Sequence, residues 1–127
     1  FSDAWGGIAS LQVSLPAVWT KAKEKGIGLN KISEWMSGNT AKLVSLEKSK
    51  GKIEIGMDAD FVIWNPDEKF IVEPDSLHHK NKISAYHHEE LYGVVKATFV
   101  RGEKVFIKEN NDWKFSDLSM GKAILKY

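Results

Sequence analysis

The stretch Lys50-Gly51-Lys52-Ile53-Glu54-Ile55-Gly56-Met57-Asp58-Ala59-Asp60-Phe61-Val62-Ile63-Trp64-Asn65-Pro66 divides the chain into two kinds of sequence. Upstream, apolar residues recur at helical spacing; downstream, short apolar runs alternate with turn residues. Gly51 and Gly56 supply positions that take positive φ, and Asp58 and Asp60 suit the turn between them. Phe61 to Trp64 is an apolar run ended by Asn65-Pro66. The whole reads as a hairpin arm feeding a buried strand.

Working outward toward the amino end, Ile8, Leu11, Leu15, Val18, Trp19 and Ala22 share the spacing of one helical face. Pro16 cannot lie inside a continuous helix without the loss of a hydrogen bond, so two helices are expected, the second starting at Pro16 and stopping at Gly26. Asn30 is placed to cap a third helix that turns Ile32, Trp35 and Met36 inward and closes at Ser37-Gly38. Asn39 or Thr40 caps a fourth, with Leu43, Val44 and Leu46 as its buried side. The Lys48-Ser49-Lys50-Gly51 connection is the natural boundary, which gives a helical portion over 1–50.

Toward the carboxyl end, Lys69 to Val72 is a short strand closed by Glu73-Pro74-Asp75-Ser76. Gly93 to Arg101 and Lys104 to Lys108 form a hairpin turned at Gly102-Glu103. Phe61, Ile63, Val95, Ala97, Phe99 and Val105 are the candidate core of this β portion, 51–108. A tail over 109–127 opens with a polar loop, Glu109 to Asp112, and shows no clear period. The fold class is therefore α+β, helices first and then strands.

A chain of 127 residues with 43% hydrophobic and 28% charged residues can bury one core. The net charge of +1, with Arg101 as the only arginine among dispersed lysines, argues against nucleic acid as the main partner. Zero cysteines exclude disulfides, thiolate metal sites and cysteine nucleophiles, and fit a cytoplasmic or other reducing intracellular compartment. No apolar run approaches the ~20 residues that span a bilayer, so no membrane partner is expected. The chain begins at Phe1 and reads like the middle of something longer, an expected fragment.

Few residues suggest chemistry. His78-His79 and His87-His88 are adjacent pairs, and adjacent positions diverge on a strand or a helix, unlike the chelating His-x-His spacing. Loop histidines without a bound metal are the better reading. Asp58 and Asp60 sit in a glycine turn where aspartate is structurally expected, rather than as an acid–base pair. Ser10, Ser14 and Ser33 have no nucleophile elbow, and Gly6-Gly7 is too short for a phosphate loop.

The pattern Gly56-x-x-Ala59-Asp60-Phe61-Val62 resembles the return of the chain into the small β-sandwich of the cyclic amidohydrolases. Ala4-Trp5-Gly6-Gly7-Ile8-Ala9-Ser10-Leu11-Gln12 resembles the segment that, in allantoinases, follows the last metal-site aspartate at the end of barrel strand eight. Trp35-Met36-Ser37, Ala41-Lys42-Leu43, Lys50 to Ile53, His79 to Ser84 with Tyr86, Thr98 to Gly102 and Gly121 to Lys126 follow in the family's order. The chain departs from the family at Ala85, where proline is usual, and at Asn39-Thr40, where Asn-Pro is usual.

The resemblance implies the carboxyl-terminal portion of a barrel enzyme, an (α/β)8 TIM-like barrel with a side β-sandwich, so that 1–50 would close the barrel and 51–108 belong to the sandwich. It implies hydrolysis of the hydantoin ring of allantoin to allantoate, in purine (ureide) catabolism. An unactivated cyclic amide needs a Lewis acid on its carbonyl and hydroxide near neutral pH, and the family implies two divalent metal ions, expected to be zinc. The family's metal ligands all lie upstream of the segment matching Phe1, so no catalytic or metal residue carries over, no cofactor is expected in this chain and it is expected to be inactive alone. What carries over is Gly6 and Gly7, matching a loop whose backbone holds the substrate ring; a glycine pair lets backbone approach a flat ring closely. That the pair only breaks the chain before a helix is nearly as good a reading. Expected partners are allantoin, the missing amino-terminal barrel portion and, for the parent enzyme, further copies in a homo-oligomer. The alternatives are another cyclic amidohydrolase of the dihydropyrimidinase or dihydroorotase type, and a non-enzymatic β-rich interaction domain. Trp5-Gly6-Gly7-Ile8-Ala9 leans toward allantoinase, because hydantoinases more often have Asn-Gly there.

Overall fold

A computed structural model describes residues 7–109, 112–117 and 121–124. Its elements are a 3-10 turn at Leu11–Val13, helices α1 (Ser14–Glu24), α2 (Leu29–Ser33) and α3 (Asn39–Leu43), then strands β1 (Phe61–Ile71), β2 (Glu90–Val100), β3 (Glu103–Glu109) and β4 (Asp112–Phe115). The strands form one sheet in the order β1-β2-β3-β4, and β2/β3 and β3/β4 are antiparallel. This is the α+β arrangement, helices before strands, that the sequence predicts. The chain forms two compact units, Phe1–Ile32 with Pro66–Val94, and Ser33–Asn65 with Val95–Tyr127.

In the first unit the 3-10 turn runs straight into α1, with Pro16 third in the helix, where its missing N–H leaves no intrahelical bond unmade. One helical run replaces the two expected. The buried face is Val13, Ala17, Trp19 and Ala22, whereas Leu11 is 92% exposed and Ile8 and Val18 are also exposed. The expected face was wrong at these three positions, because it followed the largest side chains and α1 buries a stripe rich in alanine. Val13 and Ala17 join Val72, Leu77 and Leu91 in an aliphatic core, with Phe70 and Tyr86 packed against it. The Trp19 indole N–H donates to the Pro66 carbonyl at 2.7 Å. Thr20, buried at 5% exposure, donates to the Pro16 carbonyl and accepts from the Tyr92 N–H, each at 2.8 Å.

In the second unit, Ser33 leads into a π-helical turn at Glu34–Gly38 that passes directly into α3, closed by the Asn39 N–H bonding the Glu34 carbonyl. Asn39 has helical φ and ψ and so is not a cap, and Ser37-Gly38 does not end the helix as expected. The Thr40 hydroxyl bonds back to the Met36 and Ser37 carbonyls, satisfying acceptors that the wider turn leaves free. Ala41 is the buried residue of α3, while Leu43 is 84% exposed and Val44 exposed, against expectation.

The stretch 51–60 contains turns and bends but no strand, so the expected hairpin arm is absent, and Ile53 is 88% exposed. The strand that follows does not stop at Asn65-Pro66. It continues to Ile71, which an edge strand permits because its outward side needs no ladder donor from proline. Nor is it fully buried: Val62 and Ile63 are exposed, and Phe61 is half-buried against Phe99 with ring centroids 5.8 Å apart. In β2 the buried residues include Leu91, Val94 and Ala97, since the alternation breaks near Gly93 (φ 103°) and again at a bulge between Thr98 and Phe99. Of the expected core, Ala97 is buried and Val95, Phe99 and Val105 are half-buried. Strand β4 was not expected; Phe106 opposes Phe115 there, and Phe106 packs on Trp113 with centroids 6.0 Å apart.

Candidate functional site

Gly6 lies outside the described residues. Gly7 is the first of them, exposed, at φ 96°, and a Cβ built on it would meet nothing within 4 Å. The glycine is therefore required by its backbone conformation, and nothing among the described residues crowds that side. Ile8 and Ala9 are exposed as well, so the stretch 7–9 has no apolar anchor of its own.

What fixes it is polar. The Ser84 hydroxyl donates to the Ala9 carbonyl at 2.7 Å. The Gln12 carboxamide donates to the Ser76 carbonyl at 2.7 Å and accepts from the His78 N–H at 2.8 Å. Ser76 offers a carbonyl and His78 an N–H, so the amide orientation follows from its partners. Both residues lie in stretches that carry the family resemblance, but nothing local to either signals such a role, and sequence reasoning missed it.

The histidines lie in the loop between β1 and β2 and do not converge. His78 and His88 are exposed; His79 and His87 are half-buried, and their Nε2 atoms are shielded from water without a hydrogen-bond partner. The His87 and His88 rings are 6.2 Å apart, and His88 Nδ1 lies 3.7 Å from a Glu73 carboxylate oxygen. Among the described residues no three His, Asp or Glu side chains come together where a metal ion could be held. The described residues therefore do not fit a dinuclear centre of the kind the resemblance implies.

Asp58 and Asp60 do meet, but around a lysine. Lys50 Nζ is 2.8 Å from Asp58 Oδ2 and also bonds Asp60, whose other oxygen accepts the Arg101 N–H at 2.7 Å. Burial pushes the Asp60 carboxyl up, and the Lys50 ammonium and the Arg101 N–H outweigh it, leaving the group below the ordinary carboxylate range. A carboxylate held ionised by two donors is a structural clamp and not a proton carrier.

Among the described residues no helix is long and apolar enough to cross a membrane. The chain is 53% identical over 114 residues to a probable allantoinase 2 of Dictyostelium discoideum, covering 90% of this chain and 22% of that protein. It is 51% identical over 105 residues to an allantoinase of Streptomyces avermitilis, covering 83% and 23%, and 44% identical over 108 residues to one of Arabidopsis thaliana, covering 84% and 21%. The chain thus spans about a fifth of the length of these relatives. Among solved structures, the L-hydantoinase (dihydropyrimidinase) of Arthrobacter aurescens matches with a TM-score of 0.74 at 31% identity, over 80% of this chain and 23% of that one. A D-hydantoinase of Thermus sp. shares the fold, with a TM-score of 0.79 at 22% identity over 91% of this chain and 25% of that one. A profile described as "Amidohydrolase family" matches residues 20–106, more than half of the chain, and on that match the chain belongs to the amidohydrolase family.

Proposed function

We propose that this chain is part of an allantoinase, a longer enzyme that opens the hydantoin ring of allantoin to allantoate. The observation that carries this reading is the 53% identity over 90% of the chain to a relative named as a probable allantoinase. The second reading, a dihydropyrimidinase-type enzyme, draws on the likeness to an L-hydantoinase (dihydropyrimidinase) at 31% identity and fits less well than the first. Both readings place the chain in an enzyme that opens a cyclic amide.

Within that enzyme the role assigned to this chain is scaffold and substrate loop. Gly6 and Gly7 present backbone to the flat ring, and the open side of Gly7 supports that use. The metal ions, taken as a pair of zinc ions, are held on this reading by the rest of the longer enzyme, since the described residues of this chain bring no ligand set together. The longer enzyme is a homo-oligomer on this reading, as the family resemblance implies.

The test is substrate preference in the full-length enzyme carrying this sequence. Allantoin should be hydrolysed with a kcat/KM at least about tenfold above that for hydantoin or dihydrouracil, a difference of about 1.4 kcal/mol in transition-state binding. Equal or better turnover of dihydrouracil would move the assignment to the dihydropyrimidinase reading. Gly6→Val should lower kcat/KM for allantoin by about tenfold or more with metal content unchanged, because a branched side chain obstructs the ring's approach.

A further inference from the structure

The stretch 7–9 is exposed, and the loop that touches it is anchored to the aliphatic core at Leu77 and Tyr86. Leu77, between the two residues that Gln12 bridges, is buried with Val13 in the aliphatic core, and Tyr86 packs against the same cluster. Lys82 closes the loop on itself by donating to the Leu77 carbonyl. The His88 N–H bonds the Val72 carbonyl at 2.9 Å and the Glu89 N–H bonds the Tyr86 carbonyl at 3.0 Å, which ties down the far end. The loop thus meets the segment 9–12 through three hydrogen bonds, two from Gln12 and one from Ser84.

We propose that Gln12 and Ser84 are positioning residues, which hold the backbone from Gly7 to Gln12 in the conformation that the ring of the cyclic amide docks against. The inference rests on the substrate-loop reading given above. Gln12 sets the height of the segment on the loop through two backbone partners, and Ser84 fixes the peptide at Ala9, two residues from Gly7. Their effect is on the placement of the backbone that the ring docks against, and so on substrate binding.

The experiment uses the full-length enzyme carrying this sequence, with allantoin as substrate. Ser84→Ala should raise KM about five- to tenfold, leave kcat within about twofold and leave metal content and melting temperature near the parent's, the pattern of lost ground-state and transition-state binding together. Ser84→Thr keeps the hydroxyl and should restore KM. Gln12→Glu keeps the acceptor for the His78 N–H, loses the donor to the Ser76 carbonyl, and should raise KM in the same direction. Amide hydrogen exchange at Ile8 to Leu11 should quicken in Ser84→Ala and Gln12→Glu while exchange in α1 is unchanged. KM values within twofold of the parent in both variants, beside a Gly6→Val variant that is impaired, would overturn the positioning role alone. An unimpaired Gly6→Val would overturn the substrate-loop reading and this inference with it. A fall in kcat that tracks a lower melting temperature, without a KM change, would reduce both residues to fold stability and also overturn the proposal.

Discussion

The ammonium of Lys50 lies 2.8 Å from a carboxylate oxygen of Asp58, eight residues on, and so closes the 51–58 turn together with the Asp58 N–H, which bonds the Ser49 carbonyl at 2.8 Å. The same ammonium holds Asp60, and Asp60 in turn caps the Arg101 N–H. The Gly102 N–H adds a bond to the Ala59 carbonyl at 2.9 Å. The entry to β1 is thereby pinned to the β2–β3 turn by polar contacts, beside the packing of Phe61 on Phe99.

Stability should follow this clamp with pH. Hydrogen bonds to Asp58 and then Asp60 hold Lys50 above the ordinary lysine range against partial desolvation. A raised lysine contributes stability that is full below its unfolded pKa of about 10.4 and lost as pH rises through the folded value. Asp60 is depressed, so its contribution is present above about 3.9 and lost as pH falls through the folded value. Lys50→Met should cost about 1 kcal/mol or less at pH 7, because the groups are partly exposed. Urea midpoints should show that difference on a plateau and shrinking at both acid and alkaline ends; a pH-independent difference would assign it to packing.

Gly51 and Gly56 should respond differently to the same substitution. Both have φ near 90°, but a Cβ on Gly51 would lie 2.7 Å from the Ala41 Cβ and 2.8 Å from the Ser37 carbonyl oxygen, whereas one on Gly56 meets nothing within 4 Å. Gly56→Ala should carry backbone strain alone, about 1 kcal/mol, and Gly51→Ala about 2–4 kcal/mol, since the backbone at Ser37 and Gly38 in the π-helical turn cannot give way cheaply. Thermal melts of the two variants decide it, and equal losses would show that the region around Gly51 repacks.

Thr20→Val should cost about 1–3 kcal/mol despite its matching shape, because the Tyr92 N–H loses its acceptor in a buried place. Thr20→Ser keeps the hydroxyl and should lose less. Chemical denaturation of the two variants gives the comparison, and a valine variant as stable as the parent would mean that water reaches the Tyr92 amide.

The 127-residue chain by itself should not release allantoate above the buffer rate with zinc, manganese or cobalt added, since the described residues hold no metal-ligand cluster. Its histidines should take up no stoichiometric zinc at pH 7. One equivalent of tightly bound zinc, lost when His79 and His87 are both changed to alanine, would show that their unpartnered Nε2 atoms form half of a site.

The sequence alone settled the order of helices and strands, the β2–β3 hairpin around Gly102 and the positive φ of Gly51 and Gly56, because period and turn chemistry are local properties. It also carried the family, through motifs spread along most of the chain. Tertiary structure decided which apolar residues are buried: α1 turns Ala17 and Ala22 inward and leaves Leu11 out, and the breaks in β2 put Val94 and Ala97 rather than Val95 and Phe99 deepest. It decided that β1 runs through Pro66, since only the strand's place at the sheet edge makes that proline harmless. Strand β4 likewise exists by pairing with β3, which no window of its own sequence announces. Gln12 and Ser84 belong to the same class, for their partners lie 64 to 75 residues away and a polar side chain acquires a task only when folding brings its partner within reach.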